Sequence, residues 1–164
     1  MIGNRLISAL AAAAFAAAPF AVSAKTLTNT VDTRLRVDTS CRVFTEPLHF
    51  GNVNILSGVV DATANIRLRC GPNVNYSVAI DNGQNANGAQ RRMSNNNGGW
   101  FQHVNYQIYR NAARTQIWGA TLGNVVTGTT PANGQVTLVA YGRVPNSIVL
   151  PNEYTDVVTV TVTF

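Results

Sequence analysis

The sequence predicts an all-β sandwich. Three observations carry that expectation: apolar residues recur at every second position in one run after another, no window of a dozen residues holds a helical stripe, and turn residues separate the runs at short intervals. The chain has 164 residues, enough for one ordinary domain with its own core and too few for two.

Residues 1–24 are set apart from that domain. Arg5 precedes an apolar, alanine-rich run at 6–20, and Val22-Ser23-Ala24 ends in the small-residue pattern that signal peptidase cuts. The run is shorter than the ~20 apolar residues of a membrane span, so the expectation is an exported protein beginning at Lys25, with no stable membrane insertion.

The first alternating stretch is TLTNTVDTRLRVDTSCR, 26–42, with Leu27, Val31, Leu35, Val37 and Cys41 at odd positions and Thr, Asp, Arg or Ser at every even one. Successive side chains on a strand point to opposite faces, so this pattern has one dry side and one wet side. It would run ~56 Å as a single strand, far beyond the usual length, and is read as two functional pieces. Residues 64–70 follow with Ile66, Leu68 and Cys70 inward, then 75–80 with Tyr76, Val78 and Ile80 inward, joined by the turn Gly71-Pro72-Asn73. Further runs are 104–109 through Val104, Tyr106 and Ile108, 135–141 through Val136, Leu138 and Ala140, and the closing run through Val158, Val160, Val162 and Phe164. That makes about six strands. The stretch DNGQNANGAQRRMSNNNGG, 81–99, is too polar to pack and reads as a long surface loop; with Trp100 beside it, a glycan-contacting loop is the sharper alternative.

The chain carries 12 Lys and Arg against 7 Asp and Glu, yet the basic residues are scattered. Arg34 and Arg36, and Arg67 and Arg69, lie two apart, which places each pair on one strand face; a solvated outer face is favoured over a nucleic-acid patch. Cys41 and Cys70 are the only cysteines, and in an exported chain an even pair points to a disulfide. Closing a loop of about 30 residues stabilises a fold by roughly 3–4 kcal/mol in the chain-entropy model.

No catalytic constellation emerges. A nucleophile triad needs a histidine between a hydroxyl or thiol and a carboxylate, and neither His49 nor His103 carries a motif for one. Paired carboxylates from Asp61, Asp81, Glu153 and Asp156 give no specific glycosidase signal, and His49 and His103 with the two cysteines lack zinc-finger spacing. The expectation is no enzyme, no cofactor and no metal.

An immunoglobulin-like sandwich needs about seven strands, and six leave one place empty. Because the chain closes on Phe164 without a polar tail, the last strand is expected to want a neighbour covering Val158, Val160, Val162 and Phe164. The N-terminal alternation supplies a matching strand in Leu27, Asn29, Val31, Thr33 and Leu35. Inserted beside the last strand of another molecule, it would add backbone hydrogen bonds and fill alternate pockets, and a head-to-tail contact that does not close into a ring builds a filament.

The sequence resembles the spore coat U domain family, which includes subunits of archaic, Csu-type chaperone-usher pili. The resemblance covers essentially the whole chain after residue 24. It rests on Cys41 and Cys70, Leu48-His49-Phe50-Gly51, Tyr76 with its following alternation, Arg92-Met93, Tyr106-Gln107-Ile108-Tyr109, Trp118-Gly119, Tyr141-Gly142-Arg143-Val144-Pro145, and Tyr154-Thr155-Asp156 leading into the closing run. It departs from the family pattern at His49, where Asp is usual, and at Asn152, where Gly is usual. The resemblance implies an incomplete immunoglobulin-like fold lacking its final strand: 1–24 a signal peptide, 25–36 a donor-strand segment and 37–164 the pilin domain. It also implies a periplasmic chaperone, an outer-membrane usher and neighbouring pilus subunits as partners, and a final place in a surface fibre for adhesion and biofilm formation. The alternative is a monomeric secreted coat or carbohydrate-binding sandwich, completed by its own N-terminal strand. No nucleic-acid partner is expected.

Overall fold

The computed structural model describes residues 33–36, 40–53, 58–95 and 103–164. The chain divides into two units, Met1–Arg36 and Val37–Phe164. Of the first, only 33–36 are described, and they carry no strand. The leader 1–24, the donor positions Leu27, Asn29 and Val31, and Trp100 lie outside the described residues; Thr33 and Leu35 lie within them.

The described part of the second unit is built from eight antiparallel strands: β1 (Cys41–Thr45), β2 (Val60–Cys70), β3 (Asn75–Ile80), β4 (Arg91–Ser94), β5 (His103–Tyr109), β6 (Val126–Thr129), β7 (Gln135–Val144) and β8 (Val160–Thr163). They form a five-stranded sheet in the order β1-β2-β7-β5-β4 and a three-stranded sheet in the order β6-β3-β8. The core lies where the inward faces meet, with Ile66 and Leu68 of β2, Val78 and Ile80 of β3, Val104, Tyr106 and Ile108 of β5, and Ala140 and Val144 of β7 all buried around Trp118. The alternation anticipated those inward sets correctly, because the side-chain period of a strand leaves no other way to bury them together.

Two strands depart from the expected count of six. β4 lies inside the stretch expected to be an open loop, and β6 fills a short Thr- and Gly-containing run without an apolar alternation long enough to mark it. Among the described residues the first strand begins at Cys41, where a disulfide to Cys70 joins the directly opposed pair of β1 and β2; positions 26–32 and 37–39 of the first alternation lie outside the described residues.

The segment 48–50 reaches the core because of Gly142. A Cβ there would lie 2.7 Å from Leu48 Cδ2 and 2.8 Å from Phe50 Cζ, so only glycine lets these two side chains lie against β7. Phe50 then meets Tyr106 edge-on at a centroid distance of 6.0 Å, a favoured aromatic geometry.

Candidate interaction groove

β8 pairs with β3 on one side, with Val162 opposite Val78 and Val160 opposite Ile80, and is an edge of its sheet. Burial changes abruptly across that pairing. Val78 and Ile80 are 0% and 1% exposed, whereas Val158, Val160 and Val162 are only half-buried and Phe164 is exposed. These side chains share the core-facing side of the sheet, so the difference arises from the missing neighbour on the far side of β8: among the described residues no strand covers it.

An open trough of about 1070 Å³ lies alongside. Val158 and Val160 form one wall, Leu48 and Phe50 belong to the facing segment, and Ile108 and Ala140 lie at its floor. A second depression, about 520 Å³, borders the other end of β8 between Tyr76, Thr163 and Phe164. Among the described residues the outer edge of β8 thus has no strand partner and lies next to an apolar channel, the arrangement an extended segment needs to add itself to a sheet.

The wall is held in place by two carboxylates. Tyr106 Oη donates to Asp156 Oδ2 at 2.8 Å, and Asn85 donates to Asp156 Oδ1 from its backbone N at 3.0 Å and its side chain at 3.1 Å. Burial, reinforced by the Asp156 carboxylate, pushes the Tyr106 hydroxyl far above its usual value, so it stays a proton donor. Gly83 has a positive φ of 84° and a Cβ there would sit 2.0 Å from Asp156 Oδ2, so the turn that receives Asp156 requires glycine. Ser94 and Thr155 exchange two backbone hydrogen bonds, 2.8 and 3.0 Å, which tie the approach to β8 onto β4 of the other sheet.

Asp81 fixes the start of β8 from the β3 side. Its Oδ1 accepts from Thr159 N at 2.8 Å and Gly83 N at 3.0 Å. Burial alone would raise its pKa, but the hydrogen bonds from Thr159 and Gly83, with the Arg91 charge, outweigh burial and hold the carboxyl below its ordinary value of 3.8. A depressed folded-state pKa adds stability above the unfolded-state value and loses it as pH falls through the folded one. Asp81→Asn should therefore be less stable than the parent near neutral pH, with the gap between their thermal midpoints closing below about pH 4; a gap that stays constant through that range would refute the assignment.

Arg91 was not among the residues picked out from the sequence, and it is the principal polar group of this region. It is 0% exposed. Its Nε donates to Asp81 O at 2.8 Å, its Nη2 to Ile80 O at 3.0 Å, Asp81 O at 2.6 Å and Trp118 O at 2.8 Å, and its Nη1 to Gln107 Oε1 at 3.2 Å. Burial lowers its pKa, countered by Tyr106, Asp81 and Asp156.

The other candidates divide between the trough and the rest of the surface. His49 and His103 are both exposed, the first in the segment after β1, where it lines the trough, and the second at the head of β5. Asp61 lies on the outer face of β2 and takes two hydrogen bonds from Arg143, 2.8 and 2.9 Å. Asp81 and Asp156 converge on the start of β8, Glu153 lines the same trough, and among the described residues no group of three or more His, Cys, Asp and Glu could hold a metal ion.

Two packed antiparallel sheets, one with an edge strand that no other strand covers among the described residues, define an immunoglobulin-like sandwich. The chain belongs to the Spore Coat Protein U domain family, whose model matches residues 27–161. The fold is similar to a chain of the crystal structure of the CsuC–CsuE chaperone–tip adhesion subunit pre-assembly complex from archaic chaperone-usher Csu pili of Acinetobacter baumannii. That match has a TM-score of 0.62 at 22% identity, over 78% of this chain and 40% of that one. The chain therefore spans well under half the length of that relative. The minor tip subunit HdaB of the E. coli Hda pilus matches with a TM-score of 0.44 at 20% identity, over 74% of this chain and 79% of that one. No curated protein sequence matches the chain.

Proposed function

We propose that this protein is a structural subunit of a chaperone-usher pilus that polymerises by donor-strand complementation. The observation that carries the reading is the half-buried state of Val160 and Val162 on the edge strand β8, and of Val158 just before it, beside an apolar trough. In the assembled fibre the acceptor positions are Val158, Val160, Val162 and Phe164. The donor is residues 25–36 of a neighbouring copy or related subunit, presenting Leu27, Asn29, Val31, Thr33 and Leu35 at alternate positions. Strand addition pairs the open backbone of β8 and fills the apolar channel in one step. Membership of the family and the fold shared with a pilus subunit support the reading.

The rest of the pathway follows from it. Residues 1–24 direct export, a periplasmic chaperone occupies the groove until assembly, an outer-membrane usher exchanges it for the donor, and the product is a cell-surface fibre that serves adhesion and biofilm formation. The role is structural and involves no catalysis.

Deleting residues 25–35 should abolish polymers of the exported protein while leaving its chaperone-bound monomer at parental yield. Size-exclusion chromatography and electron microscopy read both. Polymers that persist after the deletion would rule out this donor segment.

A further inference from the structure

The outer face of the five-stranded sheet holds an arrangement that the assembly reading leaves unused. In the β1–β2 register, Arg42 stands directly opposite Arg69, and Phe44 directly opposite Arg67. Like charges directly opposed on one face of an antiparallel pair oppose folding, and here the next pair along is the Cys41–Cys70 disulfide. The covalent link fixes the register, so the two arginines cannot slip apart.

Arg67 is neutralised, whereas Arg42 and Arg69 are not. The Arg69 guanidinium lies over the Phe44 ring, 5.7 Å from its centroid. Arg67 is bonded to Glu46, which also accepts from Asn65 Nδ2 at 2.8 Å. Neither Arg42 nor Arg69 has a carboxylate partner among the described residues. The far end of the same face is a contrast: there Arg143 stands opposite Asp61 and binds it with two hydrogen bonds. Beyond Arg69 and Arg67, β7 places Gln135 and Thr137 in the same two rows, and all four are exposed.

We infer that Arg42 and Arg69, with Arg67, Gln135 and Thr137, form a binding site for an acidic oligosaccharide. Guanidinium groups bind carboxylates and sulfates through paired hydrogen bonds, and the neighbouring amide and hydroxyl match sugar hydroxyls. Three strands by two rows span roughly 10 Å by 7 Å. That footprint suits a short saccharide and falls far below the ~600 Å² that even a small DNA-reading module buries. The like-charge pair is a local cost to the free fold that an anionic ligand removes.

The test titrates the purified protein with fluorescently labelled hexagalacturonate, its neutral methyl-esterified form and a 12-base-pair DNA duplex. Hexagalacturonate should bind and the methyl ester should not. Arg42→Ala and Arg69→Ala should each weaken binding by about tenfold, while Arg42→Ala leaves the ligand-free melting temperature unchanged or higher. That separation of affinity from stability distinguishes a ligand-binding role from a structural one. Failure of hexagalacturonate to bind, undiminished affinity in Arg42→Ala, a lower melting temperature in that variant, or tighter binding of the duplex with the same arginine dependence would each overturn the inference. The outcome is independent of whether residues 25–35 drive polymerisation.

Discussion

Arg91→Met should destabilise the protein by about 3–5 kcal/mol, the range seen when one partner of a buried charged network is removed. The guanidinium joins three parts of the chain at one point: the end of β3 through Ile80 and Asp81, the loop carrying Trp118, and Gln107 on β5. Methionine matches much of the volume but donates no hydrogen bond. The carbonyls of Ile80, Asp81 and Trp118 then lose a charged donor in a site that solvent does not reach. Because Asp81 also holds Thr159 at the start of β8, the loss should extend to the groove wall. Urea denaturation gives the stability change, and hydrogen exchange at the Thr159 amide shows whether the wall opens with it. A change below about 1 kcal/mol would place the guanidinium outside the supporting framework.

Trp118→Ala should cost a similar amount, about 3–5 kcal/mol. Trp118 is 1% exposed in the centre of the core, and its Nε1 donates to Val78 O at 2.9 Å. Truncation leaves a cavity and removes that bond, and the surrounding strands, fixed by their registers, can collapse only partly into the space. Trp118→Phe separates the two terms by keeping most of the volume while deleting the donor. Denaturant midpoints for both variants measure the partition, and a phenylalanine variant as unstable as the alanine one would assign the whole effect to the hydrogen bond. Arg91 contacts the carbonyl of the same residue, so the double variant should lose less than the two single losses combined.

The parts of this fold that were legible in the sequence are those governed by a period of two. Ile66 and Leu68, Val78 and Ile80, and Val104, Tyr106 and Ile108 are buried for the reason their spacing announced. Arg91 was illegible because its burial depends on carbonyls from distant segments. In sequence it stands in a run of Asn, Gly, Gln and Arg, where a charged side chain ordinarily meets solvent. β4 vanished from view with it, since in RRMS the inward positions are held by Arg91 and Met93, and an inward arginine breaks the apolar pattern. β6 was missed for a different reason. Gly128 stands opposite Tyr76, and the ring fills the space that an inward side chain on β6 would have occupied.

The expectation of a vacancy beside the closing strand rests on a count of six strands that the structure corrects. Eight strands are present among the described residues, and the opening follows from where β8 lies rather than from a shortage. A pattern of Val158, Val160, Val162 and Phe164 says that these residues want cover, but chain order alone does not say which strand stands at an edge. Asp81 and Asp156 were seen only as scattered acids, because the backbone donors that give them their roles, Thr159 N and Asn85 N, have no signature in side-chain spacing.

The antiparallel seam between β3 and β8, four residue pairs long, also has a mechanical meaning. Tension along β8 strains all four pairs together in shear, whereas tension across it would peel them apart in succession. Endurance under pull depends on the rate of rupture rather than on equilibrium stability, and a seam loaded lengthwise ruptures slowly because its contacts must fail at once.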